Sequence, residues 1–312
     1  MNFVYLFPGQ GSQYVGMAAS VIENWSRGKD LISQSSDILG YDLENIMKNG
    51  PAEILQQTLY TQPALFVSSM IVKTWLEENL PSIEPEMVAG HSLGELSALC
   101  SCGALSFTGA LNLVKKRAEL MQEANSQGVG GMAAILGLSA EKIENICNQF
   151  QELSIANYNS PNQIVITGSL KAMEISEAAF REAGAKRFIR LNVGGAFHSY
   201  LMQNACEEFS SEVDKIIFSD PRCPIISNYD AKPSSISDEI KFKLKKQMIS
   251  SVRWTETMYY LRDNLIDTVL LEIGSGSVLK GLAKQAAGEM KCASLDKWED
   301  LVSFKTEMES NG

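Results

Sequence analysis

The chain has 312 residues, 45% hydrophobic and 21% charged, which suits a globular protein with one large domain or a core carrying an insertion. A net charge of −10 argues against nucleic acid as a partner, and two histidines in the whole sequence leave little with which to bind zinc. No apolar run reaches the roughly 18–20 residues of a membrane span and no secretory signal pattern opens the sequence, so a cytoplasmic protein without membrane contact is expected.

In chain order, a buried strand is predicted over residues 3–7, running into "FPGQGSQYVGM" at 7–17 with glycines at Gly9, Gly11 and Gly16. A glycine-rich loop after a strand is often a phosphate cradle. The residues alone leave open whether this loop is one. Met87-Val88-Ala89 forms a short strand that passes through Gly90-His91-Ser92-Leu93-Gly94 into a helical stretch at 95–100. A helix is predicted over 110–124.

Residues 130–193 have a different grain. They read as strand (132–137), helix (140–150), strand (154–157), strand (163–167), helix (170–183) and strand (187–192), with a turn at Asn159-Ser160-Pro161-Asn162. This βαββαβ order is that of a ferredoxin-like unit. "NSQGVGG" at 125–131 and "VGG" at 193–195 flank it as hinges. Beyond it, "CPIISN" (223–228) reads as a strand and 233–237 as a loop. "VLLEIG" (269–274) is a further strand that turns through Ser275 to Ser277 into a helix at 278–287. The expected fold class is α/β. An α/β-hydrolase-like core of residues 1–129 and 194–312 is interrupted by a ferredoxin-like insertion at 130–193, and the protein is expected to be a monomer.

Gly90 to Gly94 is G-x-S-x-G between strand and helix, the context of a nucleophile elbow. Small residues let the backbone turn sharply, lift Ser92 Oγ clear of the sheet, and aim N–H groups of the next helix at an oxyanion. The bland alternative is a chance glycine-serine turn. A serine nucleophile needs a base. His91 adjoins Ser92 and its side chain should point away, which leaves His198 in "GGAFHSYLM" (194–202). No Asp or Glu lies between Phe188 and Ala205, so a dyad is expected, its imidazole tautomer held by a carbonyl or an amide. Arg117 falls between two apolar rows of its helix, Leu111-Val114-Ala118-Met121 and Leu113-Leu120. A cation there is costly unless an anion pairs with it. A substrate anion, an internal carboxylate or a snorkelled stem all satisfy the pattern.

The six cysteines lack any C-x-x-C spacing and are expected to be buried thiols. Lys115-Lys116, Lys186-Arg187 with Arg190, and the lysines of 241–246 are basic clusters, each a solvated face or a docking site.

Seven segments together resemble the malonyl-CoA:acyl-carrier-protein transacylase family, which includes the acyltransferases of fatty-acid and polyketide synthesis. They are "FPGQGSQ" (7–13), "TQPAL" (61–65), "GHSLGE" (90–95), "KRAELMQEA" (116–124), "NYNSPNQIVITG" (157–168), "GAFHSYLM" (195–202) and "SVRW" (251–254). The similarity covers nearly the whole chain. It implies that the loop after the first strand helps bind an oxyanion through the backbone N–H of Gln10, alongside that of Leu93. It further implies that Ser92 carries the acyl group, His198 shuttles the proton and Arg117 pairs with the free malonyl carboxylate. Gln247 resembles the family glutamine whose backbone carbonyl is a candidate for holding the imidazole. The implied substrates are malonyl-CoA and an acyl carrier protein bearing phosphopantetheine, with no further cofactor. Carrier proteins are typically acidic, which makes Lys186, Arg187 and Arg190 the candidate docking patch. Phe197 should favour malonyl over methylmalonyl. Ser250-Ser251 stands where the family usually has Pro, and Ser275 where Gly-Pro-Gly is typical. Two other functions fit the scaffold: a hydrolase clearing acyl groups from carrier protein, for which loss of the arginine is expected, and a catalytically silent carrier-binding module.

Overall fold

A computed structural model of the protein describes residues 2–126, 128 and 130–311. Its strands are β1 (Asn2–Phe7), β2 (Pro85–Gly90), β3 (Gly130–Leu136), β4 (Leu153–Ser160), β5 (Gln163–Ser169), β6 (Arg187–Arg190), β7 (Ile225–Ile226), β8 (Pro233–Ser234), β9 (Thr268–Ile273) and β10 (Lys291–Leu295). Its helices are α1 (Ala19–Asn24), α2 (Ser26–Leu39), α3 (Leu43–Asn49), α4 (Ala52–Leu55), α5 (Thr58–Asn79), α6 (Gly94–Ser101), α7 (Phe107–Ser126), α8 (Ala140–Cys147), α9 (Leu170–Glu182), α10 (Gln203–Lys215), α11 (Ser237–Gln247), α12 (Trp254–Asn264), α13 (Val278–Ala286) and α14 (Trp298–Asn311).

The alternation along β1 decides how the larger sheet is covered. Phe3, Tyr5 and Phe7 pack into one core with residues of α5, α6 and α7. Val4 and Leu6 point the opposite way, against Trp254 and Met258 of α12 and Leu279 and Leu282 of α13. A strand buried on both faces belongs to a parallel sheet with helices on each side. The order is β10-β9-β1-β2-β7-β8, parallel throughout except for the β7–β8 edge. The chain leaves β1 for β2 on one side and reaches β9 on the other. A topological switch point therefore lies at the carboxyl end of β1, where α/β sheets bind their ligands.

The second sheet is antiparallel, in the order β4-β5-β3-β6, as a ferredoxin-like unit requires. Ala133, Ile135, Ile155, Ile164 and Ile166 pack with Ile143, Met173 and Phe180 of α8 and α9. Met132, Ala134, Ala156 and Val165 face the main core instead. The two sheets are stitched by backbone: Val252 N–H donates to Ala156 O at 2.8 Å and Tyr158 N–H to Val252 O at 2.9 Å.

Several expected elements differ in extent. "CPIISN" supplies only the two strand residues of β7. The expected loop at 233–237 holds the short edge strand β8 and the start of α11; a proline, lacking an N–H, is tolerated at such an edge. β4 continues through Ser160, so the turn into β5 is Pro161-Asn162 alone. The first expected hinge includes Gln127 and Val129, which lie outside the described residues. All six cysteines are free; Cys102, Cys147 and Cys206 are buried and the other three half-buried. Among the described residues no helix is long and apolar enough to cross a membrane.

Glu272, fully buried at the end of β9, caps α13. Its carboxylate accepts from Leu279 N–H and Lys280 N–H, both at 2.9 Å, and from Ser294 Oγ at 3.1 Å. Glu272→Ala is expected to destabilise the fold by roughly 1–3 kcal/mol for each buried donor left without a partner. Urea denaturation measures this, and an unchanged midpoint would show that the cap does not hold α13.

Candidate active site

At the switch point, β2 turns into α6 through His91, Ser92 and Leu93. Ser92 has φ 51°, a left-handed conformation that costs a non-glycine residue about 1–3 kcal/mol. The turn is so tight that its flanking positions admit no side chain. A Cβ at Gly90 would lie 1.9 Å from Gly94 O, and one at Gly94 would lie 2.1 Å from Phe7 O. Asn228, just after β7, straps the elbow shut: its Oδ1 accepts from Ser92 N–H at 2.7 Å and its Nδ2 donates to Gly90 O at 2.6 Å.

His198 is buried, also at a positive φ of 58°. Its Nε2 lies 2.8 Å from Ser92 Oγ. Its Nδ1 lies 3.0 Å from Gln247 O and 3.1 Å from Ser250 O. Carbonyls only accept, so Nδ1 carries the proton and Nε2 is left to accept from the serine hydroxyl. Two backbone carbonyls occupy the place a carboxylate would take in a triad. His91 points away from Ser92 Oγ, with Nε2 2.8 Å from Asn159 Oδ1 and its ring edge-on to Trp254.

Arg117 on α7 is 1% exposed, yet no carboxylate among the described residues lies within ion-pair distance of it. Its Nη1 donates to Gln62 Oε1 at 2.8 Å; its Nη2 donates to Gln247 Oε1 and to Ser92 Oγ, both at 3.1 Å. Burial pulls the guanidinium down to about 10, while the charge of Glu95 acts to raise it. Of the three possibilities open at Arg117, the internal ion pair and the snorkelled stem are both excluded by this geometry.

Gln10 lines the cleft in front of Ser92. Its side chain is tied to Thr58 Oγ1 at 3.4 Å and to Gln62 Nε2 at 3.2 Å. Neither the Gln10 nor the Leu93 backbone N–H donates to another group among the described residues. Leu93 precedes the first residue of α6, where helix donors have no internal partner. The cleft has a volume of about 460 Å³, with Met132, Ala134 and Val165 of the antiparallel sheet facing Gln10, Ser92 and His198.

Three side chains at this site carried no assigned role in the sequence: Gln62 in "TQPAL", Glu95 in "GHSLGE" and Asn228 ending "CPIISN". The two departures are accommodated. Ser250 O serves the imidazole, Ser251 Oγ donates to Ile155 O at 2.6 Å, and Ser275 Oγ sits 2.8 Å from Ser68 Oγ. On β6, Arg190 Nη2 pairs with Glu177 at 3.4 Å, and the next residues, Leu191 to Val193, line the cleft.

Residues 4–301 match the acyl transferase domain family. The chain is 41% identical to the malonyl CoA-acyl carrier protein transacylase of Haemophilus influenzae, over 97% of both chains. The chain belongs to the malonyl-CoA:acyl-carrier-protein transacylase family. Among solved members, the acyl carrier protein S-malonyltransferase of Vibrio cholerae is 37% identical with a TM-score of 0.92, covering 97% of this chain and 100% of that one. A malonyl-transacylase solved in complex with a type II polyketide acyl carrier protein is also 37% identical, with a TM-score of 0.93 over 97% of this chain and 98% of that one.

In this transacylase fold the imidazole is held neutral by its surroundings. Burial first, then the Arg117 charge, pulls His198 down to about 3. Acylation of Ser92 by a reactive ester should therefore stay flat as pH falls from 8 to about 5, instead of halving near the ordinary histidine value of about 6.5. Stability responds oppositely. Below about pH 6.5 the unfolded chain binds a proton at His198 that the folded chain refuses, so the fold weakens as pH drops. A pH–rate profile with a limb near 6.5 would overturn the argument.

Proposed function

We propose that the protein transfers a malonyl group from malonyl-CoA to the phosphopantetheine thiol of an acyl carrier protein, by ping-pong chemistry through a Ser92 acyl-enzyme. The observation that carries this reading is a buried guanidinium, Arg117, 3.1 Å from the Oγ of a serine that is also 2.8 Å from an imidazole. The solved relative complexed with a carrier protein supports the choice of acceptor.

In the first half-reaction Ser92 Oγ attacks the thioester carbonyl as His198 Nε2 takes its proton. The tetrahedral oxyanion is held by the Gln10 and Leu93 N–H groups. The C–S bond then breaks, and His198 returns the proton to the departing CoA sulfur. In the second half-reaction the carrier thiol gives its proton to His198 and attacks the ester; the acyl C–O bond breaks and His198 passes the proton to Ser92 Oγ. Arg117 grips the malonyl carboxylate throughout, releasing its Nη2 from Ser92 as it does so. A simple acyl chain would leave that cation without an anionic partner, so dicarboxylic acyl groups are selected. The same feature argues against a general carrier-clearing hydrolase. Residues 1–129 and 194–312 form the catalytic core and 130–193 the insertion, in a monomeric cytoplasmic enzyme that uses no cofactor of its own.

Malonyl-CoA alone is expected to leave a malonyl adduct on Ser92, absent from Ser92→Ala; intact mass spectrometry decides, and an adduct on the alanine variant would sink the assignment. Arg117→Ala removes one partner of a buried charge pair, a loss of about 2–5 kcal/mol. Malonyl transfer should fall tens-fold or more while acetyl transfer changes little. Equal losses of kcat/KM for the two would make Arg117 merely structural.

Carrier docking is assigned to the β6 edge, because Lys186, Arg187 and Arg190 lead straight into the cleft wall. Charge reversal there should raise KM for carrier protein and not for malonyl-CoA, and added salt should do the same to the wild type. Indifference to both would reduce the patch to a solvated face.

A further inference from the structure

One buried carboxylate beside the nucleophile takes no part in this chemistry. Glu95, in the first turn of α6, is 2% exposed. Its Oε1 accepts from Ser227 Oγ at 3.0 Å, and its Oε2 accepts from Asn228 N–H at 3.1 Å and from Gln247 Nε2 at 2.9 Å. No cation among the described residues pairs with it. Burial raises its carboxyl above the usual carboxylate range, against which the hydrogen bonds from Gln247, Asn228 and Ser227, and then the charge of Arg117 reached through one amide, favour the ionised form. Gln247 is that amide: Nε2 donates to Glu95 and also to Ser92 O at 2.8 Å, while Oε1 accepts from Arg117 Nη2 at 3.1 Å.

A glutamine amide can be reversed with almost no change of shape, exchanging its donor and acceptor ends. Reversed, Gln247 would turn an NH₂ group against the Arg117 guanidinium and leave Nη2 with one acceptor fewer. Glu95 opposes the reversal together with the Ser92 carbonyl, which can only accept. With Glu95 ionised, its Oε2 accepts from both the Asn228 N–H and Gln247, and only Nε2 can donate to it. We infer that Glu95 is a positioning residue for acyl selection. It fixes the Gln247 amide, and the amide holds the Arg117 guanidinium beside Ser92, where a malonyl carboxylate must be met. This inference rests on the malonyl-transfer reading above.

The test is single-turnover acylation of Ser92 by malonyl-CoA and by acetyl-CoA. Glu95→Met removes the acceptor and should lower the malonyl-to-acetyl rate ratio by about tenfold, the size of coupling expected within one hydrogen-bonded network. Glu95→Gln should rescue the ratio to within about threefold of wild type, because its carbonyl can replace Oε2 while its NH₂ donates to Ser227 Oγ. Gln247→Met keeps the backbone carbonyl on His198 and removes the relay amide. It should reproduce the lowered ratio, and it carries the test should Glu95→Met fail to fold. Combining the two methionine variants should lower the ratio no further than Gln247→Met alone. Equal losses for malonyl and acetyl, a Glu95→Gln variant as poor as Glu95→Met, or multiplying losses in the double variant would each overturn the inference. Wild-type protein that forms no malonyl adduct would instead overturn the functional reading beneath it.

Discussion

Arg117 brings a positive charge into a site where water does not solvate it, and the residues around Ser92 are arranged to tolerate that charge without neutralising it. Taking a cation out of water costs several kcal/mol even after the protein relaxes. A directly paired carboxylate would offset the cost and would also extinguish the site's attraction for an anion. The protein instead gives the guanidinium neutral acceptors, Gln62 Oε1, Gln247 Oε1 and Ser92 Oγ, and keeps the carboxylate of Glu95 one amide away. The result is a cation that is held in place by neutral partners, as the proposed carboxylate binding requires. Burial first, and then the same charge, oppose protonation of His198, so under the proposed function the group that grips the substrate would also keep the base in its working state.

Both partners of the proposed proton-transfer pair sit in left-handed backbone, Ser92 at φ 51° and His198 at φ 58°. Such conformations persist only where the surroundings over-determine them. At Ser92 part of the constraint is local, since a Cβ at Gly90 would overlap Gly94 O, and part is the Asn228 strap. At His198 it is distant, because the ring is aimed by carbonyls that precede Val252 in another part of the sequence. Asn228 and Gln247 bind the backbone N–H and carbonyl of Ser92 from opposite sides, and Glu95 holds both of them.

What could be read in the sequence was what depends on neighbours in the chain. G-x-S-x-G shows its turn because the clash between residues 90 and 94 is local. His198 stood out through the rarity of histidine, and Arg117 through its place between two apolar rows of one helix. The insertion was legible through its βαββαβ order between glycine-rich flanks, although β3 and β5 are buried on both faces and do not alternate. By contrast, α5 is buried on nearly every side from Thr61 to Val72, which erases the apolar stripe that reveals a helix. β10 is half-exposed along its length and shows no alternation to read. Asn228 was out of reach for a different reason: it meets Ser92 across 136 positions of sequence, and nothing nearby requires its amide.

The orientation of the base depends on the junction between the two sheets. His198 Nδ1 bonds to Ser250 O, and two residues later Val252 exchanges backbone hydrogen bonds with Ala156 and Tyr158 of β4. Ser251, between them, ties its hydroxyl to Ile155 O on the same strand. Residues 250–252 thus belong at once to the imidazole and to the wall of the cleft. Ser92, in contrast, takes its hold from Asn228 and Gln247, and neither of these bonds to the antiparallel sheet through its side chain. A displacement of that wall reaches His198 through this short segment, and reaches the elbow through the bond between His91 and Asn159. The elbow touches the antiparallel sheet through His91 and Asn159, so the proposed nucleophile is braced mainly by the core, and its pairing with His198 depends on the packing of the two sheets on each other.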